Sequence, residues 1–269
     1  METGLDGKVV LITGASGGIG SAISRHFVAE GAKLVLHYRS NRPKIENLVQ
    51  TSKSGNAMSV QADLRKETQV RRIFAEVLKR FGRLDTLIAN AGSWESLDVP
   101  LYKMSLRQWE ETFANVLTST FLSLREFLRV VARQKQGNAV LIAATAAVFG
   151  EAGHADYAAA KSAMAFGLTR SLKNEIAQLA PTSGDYCGGC VNCVCPGWTI
   201  VPRTTAKLRD RKAVRRVTAT MALKKVARPE DIARAAVFFA SDLLAGHITG
   251  ETLVIAGGME GRLLWPTEA

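Results

Sequence analysis

Short apolar runs alternate with longer amphipathic segments along most of the chain. Such continuous apolar runs are typical of strands that are buried on both faces of a parallel sheet. Helical spacing between the runs is clearest at Glu67–Phe81, where Val70, Ile73 and Val77 share one face. The predicted strands are Lys8–Thr13, Lys33–Tyr38, Ala57–Gln61, Leu84–Ala89, Asn138–Ala144, Val191–Cys195 and Thr252–Ile255.

Helical segments are predicted between most of these strands. The predicted helices are one that follows Gly20, Glu67–Phe81, a long one from Ser105 to about Gln134, one from Tyr157 to about Ala180, and Pro229–Ser241. Seven strands interleaved with helices predict an α/β fold, a doubly wound Rossmann-type domain whose seven-stranded parallel sheet has helices on both faces. We find no internal repeat, low-complexity tract or linker, so residues 1–269 are expected to form a single domain.

Length and composition narrow the class of protein. The chain has 269 residues, of which 47% are hydrophobic, which suffices for one large core. No apolar stretch is long enough to span a membrane, and the N-terminus lacks the features of a secretory signal. We therefore expect a soluble cytoplasmic protein. Its formal charge of +11 favours anionic ligands, but no motif for specific nucleic-acid binding accompanies that charge.

A glycine-rich turn follows the first predicted strand directly. The turn reads Gly14-Ala-Ser-Gly-Gly-Ile-Gly20 and leads into a helical segment. Glycines let the backbone turn sharply and approach a pyrophosphate, whose charge then meets the N-terminus of the helix. A strand, a glycine turn and a helix in this order predict a dinucleotide-binding loop.

The end of the second predicted strand bears on the choice of cofactor. Dinucleotide sites that prefer NAD usually carry a carboxylate here, which binds the adenosine ribose. In this chain Tyr38 ends the strand, and Arg39 and Ser40 follow. No acidic group would repel a 2′-phosphate, and a guanidinium is available to bind it. This pattern favours NADP(H) over NAD(H); the alternative is that Arg39 is an ordinary surface arginine.

Tyr157 and Lys161 form the candidate acid–base pair. Residues four apart on a helix lie one turn apart on the same face. A free tyrosine keeps its proton to about pH 10, which makes it a poor acid–base group at neutral pH. An ammonium one turn away is expected to stabilise the phenolate and to lower the pKa of Tyr157, toward the range in which general acid–base catalysis is efficient. The spacing is common by chance, so its weight depends on the other motifs.

All four cysteines lie between Cys187 and Cys195. Cys193 and Cys195 belong to a predicted strand and are expected to be buried, as free cysteines commonly are. Cys187 and Cys190 lie in a glycine-rich loop, where a disulfide, a metal site and free thiols are all possible. A reducing cytosol favours free thiols, and we predict no metal site.

Seven motifs in order identify a family. They are Thr13-Gly14-Ala-Ser-Gly-Gly18-Ile19-Gly20, Asp63, Asn90-Ala91-Gly92, Asn115, Tyr157-xxx-Lys161, Pro196-Gly197 and Ile248-Thr249-Gly250-Glu251. With them the sequence resembles the short-chain dehydrogenase/reductases over essentially its whole length, and is most similar in character to 3-oxoacyl-(acyl carrier protein) reductases. The related sugar and polyol dehydrogenases share the pattern.

The resemblance implies a role for each matching position. Tyr157 would protonate a substrate carbonyl while the nicotinamide delivers hydride, and Lys161 would bind the nicotinamide ribose. Asn115 would hold a water in a proton relay to Lys161, and Asp63 would meet the adenine. The implied cofactor-binding residues are Gly14, Ser16, Gly18, Ile19, Gly20, Arg39, Ser40, Asp63, Leu64, Asn90, Ala91, Gly92, Tyr157, Lys161, Pro196, Gly197 and Thr199.

One catalytic position departs from the family pattern. The family usually has a serine thirteen residues before the tyrosine, and this chain has Ala144 there, followed by Thr145. A shift by one residue on an extended strand turns a side chain to the opposite face, whereas a bulge at the strand end would bring Thr145 inward. Three readings stay open: Thr145 is catalytic, Tyr157 works without it in a weakened enzyme, or catalysis has been lost.

The resemblance also implies a substrate lid at about residues 197–228. Ten lysines and arginines lie between Arg203 and Arg228, with Asp210 as the single acid. They form either a basic rim that attracts an acidic substrate or carrier, or a solvated cationic surface. The implied function is reversible, NADP(H)-dependent reduction of a ketone or 3-oxoacyl group, with the substrate carried on acyl carrier protein or CoA. Sugar or polyol oxidation and catalytically silent cofactor sensing are the alternatives, and a homotetramer is expected.

Overall fold

Seven parallel strands form one sheet in the computed structural model, which describes residues 2–50, 52, 55–93 and 97–263. The strand order is β3-β2-β1-β4-β5-β6-β7, and every neighbouring pair is parallel. The predicted fold class is confirmed. The strands are β1 (Val9–Ile12), β2 (Lys33–Tyr38), β3 (Ala57–Gln61), β4 (Thr86–Ala89), β5 (Asn138–Ile142), β6 (Cys190–Pro196) and β7 (Thr252–Ile255).

Helices cover both faces of the sheet, as the alternating pattern predicts. They are α1 (Gly18–Ala29), α2 (Arg42–Gln50), α3 (Glu67–Phe81), α4 (Leu106–Phe113), α5 (Ser119–Gln134), α6 (Ala146–Phe149), α7 (Ala155–Ser162), α8 (Thr169–Leu179), α9 (Pro202–Thr205), α10 (Arg211–Thr218), α11 (Pro229–Ala240) and α12 (Asp242–Ala245). None of these helices has the length and hydropathy needed to cross a bilayer.

Two hydrophobic cores lie on opposite faces of the sheet, and β1 contributes to both. Val9 and Leu11 belong to the core that contains residues of α3, α5 and α8, while Val10 and Ile12 belong to the core that contains residues of α1, α2 and α11. Alternate residues of a strand point to opposite faces of the sheet. All four side chains are buried because helices cover both of these faces. A strand covered on both sides needs apolar residues at every position, which explains the continuous apolar run.

Each of the two long predicted helices contains one wider turn. A π-helical segment, Ala114–Thr118, joins α4 to α5, and a second one, Ala163–Leu168, joins α7 to α8. Such turns insert an extra residue and are frequent at functional sites. Asn115 lies in the first segment, and the helix of Tyr157 and Lys161 continues into the second.

The structure differs from the prediction at several places near the sheet. The strand β4 begins at Thr86, two residues later than predicted. The helix α2 was not predicted; its second residue is a proline, which is favourable in the first turn of a helix. The strand β5 ends at Ile142, two residues earlier than predicted, and Thr145 precedes the short helix α6 with helical backbone angles. The apolar run continues through Ala143 and Ala144, so composition alone placed the strand end too late.

The segment predicted as a lid contains α9, a 3₁₀ turn at Lys207–Arg209 and α10. Its two ends are joined to each other, since the Ile200 N–H donates to the Ala227 carbonyl at 2.9 Å and the Ala227 N–H donates to the Trp198 carbonyl at 3.0 Å. The segment therefore leaves β6 and returns beside its own starting point. Its role as a lid stays a prediction.

Candidate active site

The predicted site residues meet at the carboxyl edge of the sheet. The glycine turn follows β1, Asn90 follows β4, Thr145 follows β5 and Gly197 follows β6. These four strands are neighbours in the sheet, so the loops that leave them lie side by side. Doubly wound folds bind ligands at this edge.

Thr13 and Asn90 join the glycine turn to the end of β4. The Thr13 hydroxyl accepts hydrogen bonds from the N–H groups of Asn90 and Ala91, both at 2.9 Å. In the other direction, the Asn90 amide donates to the carbonyls of Thr13 at 2.9 Å and Gly14 at 3.2 Å. The predicted residues Gly14, Asn90 and Ala91, which belong to two separate motifs of the sequence, therefore form one hydrogen-bonded unit.

His37 fixes the start of the glycine turn, a role that the sequence did not reveal. Its Nδ1 accepts a hydrogen bond from the Gly14 N–H at 3.0 Å, so its Nε2 carries the proton and donates to the Ala62 carbonyl at 3.0 Å. Burial lowers the pKa of His37 to about 4. The ring is therefore neutral at physiological pH and keeps this tautomer.

The glycines leave a cradle that fits a dinucleotide pyrophosphate. A Cβ on Gly20 would collide with the Gly14 carbonyl oxygen, and one on Gly18 would lie 2.5 Å from a Val201 methyl group. No side chain caps the N-terminus of α1, so its first N–H groups can bind an anion. Ser16 and Ile19 are half-buried beside this surface.

The ends of β2 and β3 form the surface predicted for the adenosine half of the cofactor. Arg39 and Ser40 are exposed there, and Leu64 is buried. Arg65 binds the Asp63 carboxylate with its Nε at 2.9 Å and its Nη2 at 2.6 Å, and this pairing lowers the pKa of Asp63 to about 2. The positive charge of Arg39 acts in the same direction. Asp63 is therefore ionised and already paired with Arg65, a pairing that was not predicted from the sequence.

Lys161 is buried deep in the site, with 3% of its surface exposed. Its Nζ donates to the Ile142 carbonyl at 2.6 Å and lies 5.8 Å from the centre of the Tyr157 ring. A Cβ on Gly92 would lie 3.4 Å from the same Nζ. The structure thus brings together Lys161, Tyr157 and Gly92, three of the residues that the motifs predicted.

Burial controls the charge state of both members of the pair. It lowers the pKa of Lys161 to about 8, against the smaller opposing effects of Cys193 and Cys195. It raises the pKa of Tyr157 above the ordinary value for a phenol, with Arg203 opposing that rise. The expectation that the pKa of Tyr157 is lowered is therefore wrong for the protein alone, because desolvation of the phenolate outweighs the nearby positive charge.

A buried carboxylate aligns the Tyr157 helix with α4. Asp156 is 1% exposed and accepts hydrogen bonds from the Thr112 hydroxyl at 2.6 Å and from the Tyr157 N–H at 2.8 Å. Asn115 lies one turn beyond Thr112 and is half-buried; its carbonyl accepts from the Ser119 hydroxyl at 2.7 Å. The predicted water relay through Asn115 stays a prediction.

Thr145 lies inside the site region, and Ala144 is half-buried beside it. Because β5 has already ended, the alternation of strand faces does not apply to these two residues. The Thr145 N–H donates to the Pro196 carbonyl at 2.8 Å, and its hydroxyl accepts from Arg262 at 3.1 Å. The contact between Thr145 and Arg262 could not be predicted from the sequence, because the two residues are 117 positions apart in the chain.

The loop after β6 lies beside these groups. Gly197 packs so closely on Ala256 that a Cβ there would lie 2.8 Å from the alanine methyl group. Thr199 is buried and its hydroxyl donates to the Gly197 carbonyl at 3.0 Å. A small apolar cluster adjoins the loop and consists of Phe149, Trp198, Met221, Ala256 and Met259.

The cysteines are all free thiols. Cys193 and Cys195 are buried in β6, as predicted, while Cys187 is exposed and Cys190 is buried. Within the described part of the chain, no three His, Cys, Asp or Glu side chains are grouped to hold a metal ion.

The buried ammonium of Lys161 makes a testable contribution to stability. The folded pKa of about 8 lies below the ordinary 10.5, so between these values the unfolded chain holds a proton that the folded protein lacks. The free energy of unfolding therefore rises with pH in this window, by about 3 kcal/mol from this group. Lys161→Met should remove that rise, whereas Lys79→Met, at an exposed position, should retain it.

The measurement is denaturant unfolding of the three proteins between pH 7 and pH 11. Subtracting the Lys79→Met curve from the Lys161→Met curve isolates the buried group from the other titrating residues. A difference that does not change across the window would mean that Lys161 titrates as in water.

The chain matches known proteins along almost its whole length. A family model described as enoyl-(acyl carrier protein) reductase matches residues 14–260. A 3-oxoacyl-(acyl-carrier-protein) reductase of Synechocystis sp. is 31% identical over 259 residues, which cover 96% of this chain and 98% of that relative. A Staphylococcus aureus protein of the same name is 31% identical over 254 residues, 94% of this chain and 98% of that relative.

A relative that acts on a CoA thioester is equally similar. The acetoacetyl-CoA reductase of Acinetobacter sp. is 32% identical over 255 residues, which cover 94% of this chain and 97% of that protein. The family-model match extends from the glycine turn to just beyond the last strand. The chain therefore belongs to the short-chain dehydrogenase/reductase family of oxidoreductases.

Proposed function

We propose that this protein is an NADP(H)-dependent reductase that converts a 3-oxoacyl thioester or a related ketone into the alcohol, reversibly. The observation that carries the proposal is the buried Lys161 ammonium, which lies 5.8 Å from the Tyr157 ring and against Gly92, at the edge of the glycine cradle. An acid–base pair beside a dinucleotide cradle is the arrangement that carbonyl reduction requires.

Tyr157 is the proton donor in this proposal. The nicotinamide, when bound, supplies the hydride that adds to the carbonyl carbon. Because burial raises the pKa of Tyr157, the phenol is fully protonated at neutral pH and ready to donate to the carbonyl oxygen. The phenolate left behind needs nearby positive charge, which Lys161 and Arg203 provide.

Lys161 remains charged at neutral pH, since its pKa of about 8 lies above 7. Its hydrogen bond to the Ile142 carbonyl holds the ammonium in place beside Tyr157 and Gly92. A proton lost by Tyr157 is restored in this proposal through Lys161 and a water held at Asn115. The π-helical turn at Asn115 disturbs the regular helix hydrogen bonding at this point.

Thr145 is the proposed hydrogen-bond donor to the substrate carbonyl. It is buried at the start of α6 and takes the place of the serine that the family pattern has at position 144. Preorganised donors of this kind stabilise the charge that develops on the oxygen. The weakened or silent alternatives follow if the Thr145 hydroxyl does not reach the substrate.

The surface at Arg39 supports NADP(H) as the cofactor. Arg39 and Ser40 are exposed after β2, where a 2′-phosphate of the adenosine would lie. The nearby carboxylate of Asp63 is paired with Arg65, so its negative charge is compensated. A phosphate at this place therefore meets net positive charge.

The substrate class follows from the names of the relatives and from the apolar cluster. The relatives are reductases of 3-oxoacyl chains on acyl carrier protein and of acetoacetyl-CoA. Phe149 and Trp198, the partly exposed members of this cluster, offer an apolar surface for an acyl chain. The basic residues between Arg203 and Arg228 suit a phosphorylated carrier.

We further propose a single domain with a lid at 197–228, a cytoplasmic location and a homotetramer.

The direct test is consumption of NADPH with acetoacetyl-CoA. We expect turnover, and we expect Tyr157→Phe to lose about 10²–10⁴-fold in rate because the proton donor is gone. Tyr102→Phe, at a position that is 83% exposed, should keep full activity. Diketones and sugars belong in the same panel, as does crotonyl-CoA, on which preferred turnover would indicate an enoyl reductase. No turnover above that of Tyr157→Phe on any substrate would remove the proposal.

Cofactor choice gives a separate prediction. Arg39→Ala should weaken the binding of NADPH by about 10- to 100-fold, the usual effect of losing a charged hydrogen bond, and should leave the binding of NADH almost unchanged. Arg234→Ala, which removes an exposed arginine on α11, should change neither. Calorimetric titration of both cofactors decides the matter, and equal losses for the two would show that Arg39 does not contact the 2′-phosphate.

A further inference from the structure

Arg262, near the end of the described chain, folds back onto the loop that follows β5. Its Nη2 donates to the Thr145 hydroxyl at 3.1 Å and also pairs with the Glu151 carboxylate at 2.6 Å, while its Nε donates to the Gly150 carbonyl at 3.2 Å. The side chain is only 19% exposed. Arg262 thus joins its own segment of the chain to Thr145, which precedes α6, and to Gly150 and Glu151, which follow α6.

The chemistry of the two groups fixes the direction of the hydrogen bond to Thr145. A guanidinium has donors only, so the Thr145 oxygen must accept. The hydroxyl proton is therefore not directed at Arg262. Within the described residues the Thr145 hydroxyl makes no other hydrogen bond, so this proton is available to a further acceptor. A hydroxyl that accepts from a cation is also a stronger donor, because hydrogen bonds in a chain polarise one another.

The Thr145 hydroxyl lies in the same part of the molecule as Tyr157, the proposed proton donor. Lys161, one turn from Tyr157 on α7, donates to the carbonyl of Ile142, three residues before Thr145, and α6 packs against α7. The apolar cluster that contains Phe149 and Met259 borders the same loop. Thr145 and Tyr157 therefore belong to one region of the molecule.

We propose that Arg262 is a positioning residue, which orients the Thr145 hydroxyl so that its proton points to the carbonyl oxygen of the substrate. The inference rests on the proposed carbonyl reductase function and extends it to a residue outside the recognised motifs. It explains how a threonine, one position later in the chain than the usual serine, can serve as the donor: the hydroxyl is oriented from behind by a cation that the C-terminal segment supplies.

Glu151 is part of the same arrangement. A guanidinium that is four-fifths buried needs a counter-charge, and Glu151 provides it at 2.6 Å. The Glu151 carboxylate, the Gly150 carbonyl and the Met259 sulfur bind other donors of the guanidinium, which opposes rotation away from Thr145. Thr145 therefore receives its hydrogen bond from a group that is held on several sides.

The test is a double-mutant cycle of Arg262→Ala and Thr145→Val, with NADPH and acetoacetyl-CoA. Thr145→Val removes the hydroxyl but keeps the shape of the side chain. We expect it to lower kcat by about 10²-fold, as the loss of an oxyanion donor does. We expect Arg262→Ala to lower kcat by about 10-fold with a smaller change in KM, and to cause no further loss when Thr145→Val is already present.

Three further variants separate positioning from general stability. Arg262→Lys keeps a charge that can reach Glu151 and should recover part of the lost kcat. Thr145→Ser keeps the hydroxyl and should retain the sensitivity to Arg262→Ala. Arg234→Ala, at an exposed ion pair on α11, should leave kcat unchanged. Denaturant unfolding of the same cycle adds a readout without substrate, and we expect coupling between positions 145 and 262 there as well.

The outcomes distinguish the inference from the function on which it rests. If Arg262→Ala has no effect on kcat while Thr145→Val keeps its loss, the inference is wrong and the reductase function stands. Equal losses from Arg262→Ala in both backgrounds would mean that Arg262 acts independently of Thr145, which also contradicts the inference. If the unaltered protein reduces no carbonyl compound, the proposed function itself fails.

Discussion

A lysine ammonium buried against a backbone carbonyl is the interaction on which the rest of the site depends. Lys161 is 3% exposed, and its hydrogen bond to the Ile142 carbonyl anchors it to the end of β5. Burying a charge is costly, and the cost appears as a lowered pKa. The protein accepts this cost at the point where the glycine turn, the Tyr157 helix and the β5 loop meet. A cation so placed stabilises negative charge on a phenol or on a bound cofactor.

The surrounding fold holds the Lys161 ammonium in place through a set of ordinary hydrogen bonds. His37, neutral because it is buried, binds the first glycine of the turn, and Thr13 joins that turn to the end of β4. Asp156 accepts from Thr112 of α4 and from the Tyr157 backbone, so it aligns the two helices that carry the proposed relay. Arg262 binds the hydroxyl of Thr145. Apart from the hydrogen bond between the neighbouring residues Asp156 and Tyr157, these contacts join segments that are distant in sequence, so the geometry of the site depends on the complete fold.

Local patterns of the sequence predicted most of the fold. All seven strands were predicted. Continuous apolar runs identified the central ones, because strands covered on both faces need apolar residues at every position, whereas the edge strands β3 and β7 are partly exposed. The end of β5 was misplaced, since Ala143 and Ala144 continue the apolar run although the sheet has ended. The spacing of Tyr157 and Lys161 predicted their shared face but gave the wrong direction for the pKa of the phenol, because spacing reports a neighbouring charge and says nothing of desolvation. Arg262 was missed because only the folded chain brings it to Thr145.

In the proposed reaction, positive charge around a buried phenol makes proton transfer possible once the cofactor is present. The most direct measurement is an absorbance titration of tyrosinate in the wild type minus that in Tyr157→Phe, with and without saturating NADP⁺. Without the cofactor, the account predicts that the pKa of Tyr157 lies above that of free tyrosine. With NADP⁺, whose oxidised ring adds a positive charge, the pKa should fall well below that of free tyrosine. A pKa that does not respond to NADP⁺, or that equals the free value in both states, would contradict the account.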